Sequence, residues 1–126
     1  MSKEIVVVPN TPPAIGPYSR AVKANGFVFA SGCVGIHPQT NALVPGGVGP
    51  QARQALENLK HVLESSGSNM NKVVKCTVLL TDMANFAEIN AIYAEFFTSE
   101  PPARTTFSVA GLPLGALFEV DAVAVL

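Results

Sequence analysis

The chain has 126 residues, a length that fits a single domain over residues 1–126 with one hydrophobic core. Its net charge is −1 and only 13% of its residues are charged, with no basic run, which argues against nucleic acid as a partner. No apolar stretch reaches the roughly 20 residues of a membrane span, and so few charges favour burial of apolar surface against further copies of the chain.

The first third of the chain predicts strands joined by loops. Residues 3–8, "KEIVVV", are rich in β-branched side chains and predict a strand. Residues 9–19 contain four prolines and predict an extended loop, because each proline fixes φ and removes a donor. Residues 20–32 predict a hairpin, since Asn25-Gly26 suits a turn with positive φ at both central positions.

A long amphipathic helix is predicted next. Residues 33–50 are rich in Gly and Pro and predict a loop, and residues 50–67 repeat apolar side chains at three- and four-residue spacing. The charged residues of this helix fall on the opposite side and predict a solvated face. The apolar stripe consists of Ala52, Ala55, Leu56, Leu59, Val62 and Leu63, and the charged face of Arg53, Glu57, Lys60 and Glu64.

The remaining elements complete an α+β pattern. Residues 71–82 predict a strand, and Asn85 with Glu88 three residues on has the form of a capping box for a helix that ends near Phe97. Two final strands are predicted near 104–110 and 117–125. The order β-β-β-α-β-α-β-β predicts one mixed sheet of about six strands with both helices on one face. The other face would be bare in a monomer and would form the subunit interface.

One arginine and one glutamate are the main candidates for chemistry. Strand alternation places Arg104, Thr106 and Ser108 on one face of the fifth strand, and Glu119 with Asp121 on one face of the sixth. If these strands pair as a hairpin with polar faces aligned, Ser108 lies opposite Glu119, and Arg104 lies about 13 Å further along, which leaves room for a small ligand. Arg is suited to bind a carboxylate through two parallel hydrogen bonds. The alternative is that Arg104 and Glu119 are ordinary edge charges, or a structural pair across a subunit boundary.

Other candidates also have structural alternatives. Tyr18 lies in the proline-rich loop, where an aromatic side chain commonly packs. Gly32 either lets a backbone N–H approach a ligand or marks a simple turn. Asn90 interrupts the apolar face of the second helix, where such a residue most often satisfies a neighbouring polar group. Cys33 would be a nucleophile only with a base beside it, and only His37 is near in sequence.

The cysteines and histidines predict neither a disulfide framework nor a metal site. Cys33 and Cys76 form no CxxC motif and predict free, buried thiols in a reducing compartment. We expect the cytoplasm, with the mitochondrion as the alternative. His37 and His61 lie far apart and neither has ligand spacing with a cysteine, so we expect no metal and no cofactor.

Five stretches together resemble the reactive intermediate deaminase (RidA, or YjgF-like) family. They are "AIGPYSRAV", "FASG", "VLLTDMANFAEINAIYAEFF", "PPARTTFSVAGLP" and "FEVDAVAV", and the resemblance extends from about residue 3 to residue 126. It implies a chorismate-mutase-like α+β fold and a barrel-shaped homotrimer with clefts between subunits. It also implies hydrolysis of 2-imino acids, such as 2-iminobutanoate and 2-iminopropanoate, to 2-oxo acids and ammonia.

The resemblance also assigns site residues. Arg104 matches the arginine of the family's "PAR" motif and would hold the substrate carboxylate, and Glu119 matches the glutamate of the last strand, placed to orient or activate water. Two positions depart from the family pattern: Cys33 stands where Gln is common, and Asp121 where a second Glu is frequent. The implied substrate-binding residues are Tyr18, Ser31, Gly32, Asn90 and Thr106, the last through its backbone.

Two other functions remain open from the sequence. The first is a regulatory module that binds 2-oxo acids without turnover. The second is a ribonuclease or translation inhibitor, names that some members of the family carry, although the net charge of −1 argues against RNA as the main partner.

Overall fold

Six strands and two helices form the core of the chain in the computed structural model, which describes residues 2–126. The α+β class and the order of elements predicted from the sequence are confirmed. The strands are β1 (Glu4–Val6), β2 (Ala21–Ala24), β3 (Phe27–Val34), β4 (Val73–Leu80), β5 (Ala103–Ser108) and β6 (Phe118–Val125), and the helices are α1 (Val48–Ser65) and α2 (Phe86–Phe96).

The strands form one mixed sheet in the order β1-β2-β3-β6-β4-β5. All neighbouring strands are antiparallel except β4 and β5, which are parallel. The hairpin considered for the last two strands is therefore wrong, because β4 lies between β5 and β6. The reason is that α2 returns the chain to the beginning of β4, so β5 runs parallel to it. Strand β6 buries every second residue and fits the centre of the sheet, whereas β5 has no fully buried residue and takes the edge.

Helix α1 packs its predicted apolar stripe against the sheet. All six residues of that stripe are buried, and the four charged residues are exposed, as predicted. The helix begins at Val48, so Pro50 lies in its first turn, where its missing N–H costs no hydrogen bond. It ends at Ser65, and Gly67 beyond it has a φ of 85°, a conformation that glycine adopts easily.

The predicted capping box of α2 does not form. Asn85 precedes the helix, but its side chain makes no capping hydrogen bond. Its φ of −86° and ψ of 1° are close to helical, whereas a capping residue needs an extended backbone to reach back to the first turn. The cap lies earlier instead: Asp82 accepts a hydrogen bond of 2.9 Å from the backbone N–H of Ala84, at the start of a short 3₁₀ turn.

The bare face of the sheet is the face that neither helix covers. It carries Ile5, Phe27, Phe29 and Phe107, whose exposed fractions run from 36% to 50%. Large apolar side chains on one continuous surface are typical of a protein interface. Within residues 2–126, neither helix is both long enough and apolar enough to cross a bilayer.

Candidate active site

The predicted site residues lie in two groups on opposite faces of the sheet. Arg104 is in register with Cys76, and Thr106 with Val78, so both β5 residues share the helix-covered face. Glu119 is in register with Leu79 and lies on the bare face. The expectation that the polar faces of β5 and β6 align within one chain is therefore wrong, because two residues of opposite parity on one sheet point in opposite directions.

We name the two groups by their charged residues. The arginine half consists of Arg104 and Thr106 on β5 with Phe86, Asn90 and Tyr93 on α2. The glutamate half consists of Tyr18, Ser31, Gly32 and Glu119, with Arg20 and Cys33 beside them.

In the arginine half, Arg104 lies against two aromatic rings. Its Cζ is 4.7 Å from the ring centroid of Tyr93 and 5.6 Å from that of Phe86, distances at which a cation and a π system attract each other. No carboxylate of residues 2–126 lies within ion-pair distance of its guanidinium. An arginine in an apolar strand is thus held by the faces of two rings, and its charge remains available to an external anion.

Three buried polar atoms accompany this guanidinium. Asn90 Oδ1, Tyr93 Oη and Thr106 Oγ1 are buried; none makes a well-formed hydrogen bond within residues 2–126, although Tyr93 Oη lies near the Cys76 thiol. Asn90 lies between Phe86 and Tyr93 on the same stripe of α2, since residues three and four apart share a helix face. Leaving such a group unsatisfied costs about 1–3 kcal/mol. A cluster of three beside an unpaired cation is more typical of a binding surface than of a structural core.

Arg104 is the only residue of the arginine half that is charged at neutral pH. Burial raises the pKa of the neighbouring Cys76 thiol to about 11, although the nearby Tyr93 hydroxyl acts in the opposite direction. Burial, and then the proximity of Cys76, raises the pKa of Tyr93 as well. Both groups therefore stay neutral, and the surface around Arg104 is polar but carries a single positive charge.

In the glutamate half, Glu119 lies directly against Gly32. A Cβ atom on Gly32 would stand only 2.6 Å from Glu119 Oε2, so glycine is required for the carboxylate to occupy this position. The register of β3 against β6 shifts between Ala30 and Cys33, and this irregularity brings Gly32 next to β6. Burial, and secondarily the negative charge of Asp121, raises the pKa of Glu119. A carboxyl whose pKa is raised accepts a proton more readily than an ordinary one.

The proline-rich loop borders this carboxylate. Ser31 Oγ donates a hydrogen bond of 2.6 Å to the carbonyl oxygen of Ser19, which fixes the end of the loop on β3. Tyr18, next to Ser19, is 47% exposed and lines a cavity of about 80 Å³ together with Gly32 and Glu119. The hydroxyl of Ser31 therefore positions the loop, and its proton is not free for a ligand.

Cys33 contributes to the wall of the same cavity, and no hydrogen bond joins its thiol to a side-chain base within residues 2–126. Burial raises the pKa of its thiol to about 12, despite the opposing charge of Arg20. The thiol lies 3.7 Å from the carbonyl oxygen of Ser31, to which it donates. His37, the histidine nearest to Cys33 in sequence, accepts a hydrogen bond at Nδ1 from the backbone N–H of Gln39. This nitrogen is therefore not free to take a proton from the Cys33 thiol. Within residues 2–126, no three His, Cys, Asp or Glu side chains are grouped to hold a metal ion.

Three residues of the site were not singled out in the sequence. Phe86 and Tyr93 fit the apolar face of the second helix that Asn90 interrupts, and their spacing around Asn90 places all three on one face. Arg20 lines the cavity of the glutamate half, and the signal for it in the sequence is a charged residue directly after the "GPYS" stretch.

Comparisons with known proteins agree with the fold and the motifs. The sequence profile of the family described as Endoribonuclease L-PSP matches residues 8–126. The mouse 2-iminobutanoate/2-iminopropanoate deaminase is 45% identical over 123 residues, which cover 98% of this chain and 91% of the mouse protein. A crystal structure of RidA from the Antarctic bacterium Psychrobacter sp. PAMC 21119 matches with a TM-score of 0.93 and 36% identity, covering 98% of this chain and 99% of that one. E. coli TdcF with bound serine matches with a TM-score of 0.92 and 37% identity, covering 98% of both chains.

Proposed function

Because this chain belongs to the endoribonuclease L-PSP family, which includes the RidA and YjgF proteins that its motifs resemble, we propose that it hydrolyses 2-imino acids to 2-oxo acids and ammonia. The mouse relative is named for this activity on 2-iminobutanoate and 2-iminopropanoate, and these are the proposed substrates here. The observation that carries the proposal is the unpaired guanidinium of Arg104, which lies over the ring of Tyr93 and is suited to receive a small carboxylate.

The proposed active form is a homotrimer with its sites between copies. One chain alone holds Arg104 and Glu119 on opposite faces of its sheet, so it cannot bring both to one substrate. A second copy packed against the bare face would cover its exposed phenylalanines and add an arginine half to a glutamate half. The same contact would bury apolar surface and complete the site, and the low share of charged residues supports such an assembly.

Arg104 binds the substrate in this proposal. Its planar fork donates two parallel hydrogen bonds to the C1 carboxylate, and the rings of Phe86 and Tyr93 keep the fork in one orientation. Asn90 and Thr106 extend this surface through the polar atoms that find no partner within residues 2–126. Because β5 is an edge strand, one row of its backbone groups has no strand partner, and these groups near Thr106 are available to the ligand.

Glu119 acts on water in this proposal. The carbon of a protonated imine is already electrophilic, so the reaction needs a positioned water and one group that moves protons. The Glu119 carboxylate accepts a proton as the water oxygen bonds to the imine carbon, and returns it to the nitrogen of the resulting carbinolamine. The Glu119 carboxylate then accepts the hydroxyl proton as the C–N bond breaks, which gives the 2-oxo acid, and it passes that proton to the departing ammonia. A carboxyl with a raised pKa suits both steps better than an ordinary one.

The remaining residues shape the space around the reacting carbon. Gly32 leaves room for the Glu119 carboxylate and for close approach of the ligand to the backbone of β3. Tyr18 lines the open side of the cavity, and Ser31 holds the loop that carries Tyr18. Their proposed contribution is binding and exclusion of bulk water.

The test is release of ammonia and 2-oxo acid from freshly generated 2-iminobutanoate. An amino-acid oxidase acting on 2-aminobutanoate supplies the imine, and trapping with semicarbazide measures how long it survives. We expect the purified protein to accelerate hydrolysis over buffer by several orders of magnitude, and dialysis against a strong chelator to leave the rate unchanged. Hydrolysis no faster than in buffer would refute the proposed function.

A second function is favoured by one comparison, because E. coli TdcF was crystallised with an amino acid, serine, bound. In that case the same cleft senses small carboxylates without turnover. Calorimetric affinity for 2-oxobutanoate without imine hydrolysis would support this alternative. We propose the cytoplasm as the compartment for either function, with the mitochondrion as the alternative, and the two free thiols support a reducing compartment.

A further inference from the structure

The cavity of the glutamate half contains a second guanidinium that the proposed reaction does not use. Arg20 Nη2 donates to the carbonyl oxygen of Pro12, and the Nε of Arg20 is buried without a partner among residues 2–126. A guanidinium carries five N–H donors, so the contact with Pro12 leaves most of them unused. Arg20 lines the cavity together with Tyr18, Gly32 and Glu119.

The positive charge of Arg20 is not neutralised within the part of the chain that the structure describes. Neither ion pair found among residues 2–126 involves Arg20. Glu119 lines the same cavity, but no ion pair joins its carboxylate to Arg20 within residues 2–126. The guanidinium instead lies close enough to Cys33 to act against the rise in its thiol pKa. The two charged side chains thus border one cavity without pairing.

A purely structural role accounts for only part of this arrangement. Arg20 ties the proline-rich loop to β2 through Pro12, and a neutral donor of similar length would do the same. A charge that is partly removed from water without a counter-ion is costly, and such a group usually has a partner when the protein is active. The chemistry of a guanidinium fork points to a carboxylate as that partner.

We propose that Arg20 binds the second carboxylate of a dicarboxylic 2-imino acid, which makes this residue the determinant of specificity for acidic side chains. This inference rests on the proposed function. Arg104 of one copy holds the C1 carboxylate, and Arg20 of the other receives the side-chain carboxylate in the cavity that it shares with Glu119. The substrate class is the four- and five-carbon 2-imino diacids, in addition to the monocarboxylic imines.

The experiment compares kcat/KM for 2-iminoglutarate with kcat/KM for 2-iminobutanoate, both generated by amino-acid oxidases. The ratio is measured in the unmodified protein, in Arg20→Gln and in Arg20→Lys. Arg20→Gln keeps a donor for the carbonyl of Pro12 but removes the charge, so the ratio should fall about tenfold or more. Arg20→Lys keeps the charge without the planar fork, so its ratio should lie between the ratios of the unmodified protein and of Arg20→Gln. Arg53→Gln is the control, because Arg53 lies on the exposed face of α1 and should leave the ratio unchanged.

The outcomes separate this inference from the proposed function. If 2-iminobutanoate is hydrolysed and the ratio is the same in Arg20→Gln, or if the unmodified protein does not act on the diacid, Arg20 is structural and the inference is overturned. If neither imine is hydrolysed, the proposed function fails. Calorimetry then decides about Arg20 alone, since Arg20→Gln should weaken 2-oxoglutarate binding about tenfold relative to 2-oxobutanoate. If Arg20→Gln does not fold, weaker binding of 2-oxoglutarate than of 2-oxobutanoate by the unmodified protein overturns the inference.

Discussion

Replacement of Arg104 tests the carboxylate receptor directly, because lysine keeps the charge while losing the planar fork. Arg104→Lys retains one charge-assisted hydrogen bond to the substrate where arginine makes two. Arg104→Ala retains none and also loses the contacts with the rings of Tyr93 and Phe86. The two variants therefore remove the proposed interaction in two steps.

The expected magnitudes follow from these contacts. A hydrogen bond to a charged group contributes about 1.5–3 kcal/mol, and about 1.4 kcal/mol corresponds to a factor of ten. Loss of one bond in Arg104→Lys should lower kcat/KM for 2-iminobutanoate about ten- to a hundredfold. Loss of both in Arg104→Ala should lower it by about two to four orders of magnitude. The two cation–π contacts contribute about 0.5–1 kcal/mol each, so Arg104→Ala should lose only about 1–2 kcal/mol of stability and stay folded.

The assay is kcat/KM on freshly generated 2-iminobutanoate, with calorimetric affinity for 2-oxobutanoate and sedimentation on the same samples. Arg53→Ala serves as a matched control, since its ion pair with Glu95, at 2.9 Å, is exposed and adds little to stability. Near-normal turnover in Arg104→Ala, or a defect confined to dissociation of the oligomer, would refute the reasoning. In either case Arg104 would be a structural residue.

The other predictions concern the glutamate half and the bare face. Glu119→Gln should depress kcat while preserving affinity for 2-oxobutanoate. The raised pKa of Glu119 means that its ionised form destabilises the fold at neutral pH, so this variant should also have a higher Tm at pH 7. This gain in Tm should vanish below pH 4.5, the ordinary pKa of the carboxyl, where Glu119 is protonated in both the folded and the unfolded chain. A normal kcat, or a Tm gain that persists at low pH, would contradict this. Gly32→Ala should lower kcat/KM at least about tenfold by displacing the Glu119 carboxylate, whereas Gly111→Ala, whose new Cβ would meet nothing within 4 Å, should not. Cys33→Ser should keep most of the activity, and a loss of several orders of magnitude with the fold intact would restore the nucleophile hypothesis. Sedimentation at micromolar concentration should show a trimer, and a stable monomer would count against the proposed site between copies.

The local elements of this protein were predictable from the sequence because their determinants are local. The apolar stripe of α1 and the Asn25-Gly26 turn each depend on residues within one or two turns of chain. Asn25 and Gly26 adopt φ values of 55° and 82°, as a turn with positive φ at both positions requires. The sequence also predicts the candidate residues of the site, because "PAR" and the last-strand glutamate belong to motifs that resemble a family.

The tertiary structure alone decided which strands are neighbours and therefore which faces the charges occupy. Alternation along β5 and β6 specifies two faces for each strand, but it does not specify the strand beside it. That choice follows from the burial of all six strands together, and it inserts β6 between β3 and β4 while leaving β5 at the edge. As a consequence, Arg104 and Glu119 lie on opposite faces of one sheet, although the sequence pattern predicts that they share a site within one chain. The reason is that pairing between distant segments is set by the free energy of the whole fold rather than by local pattern.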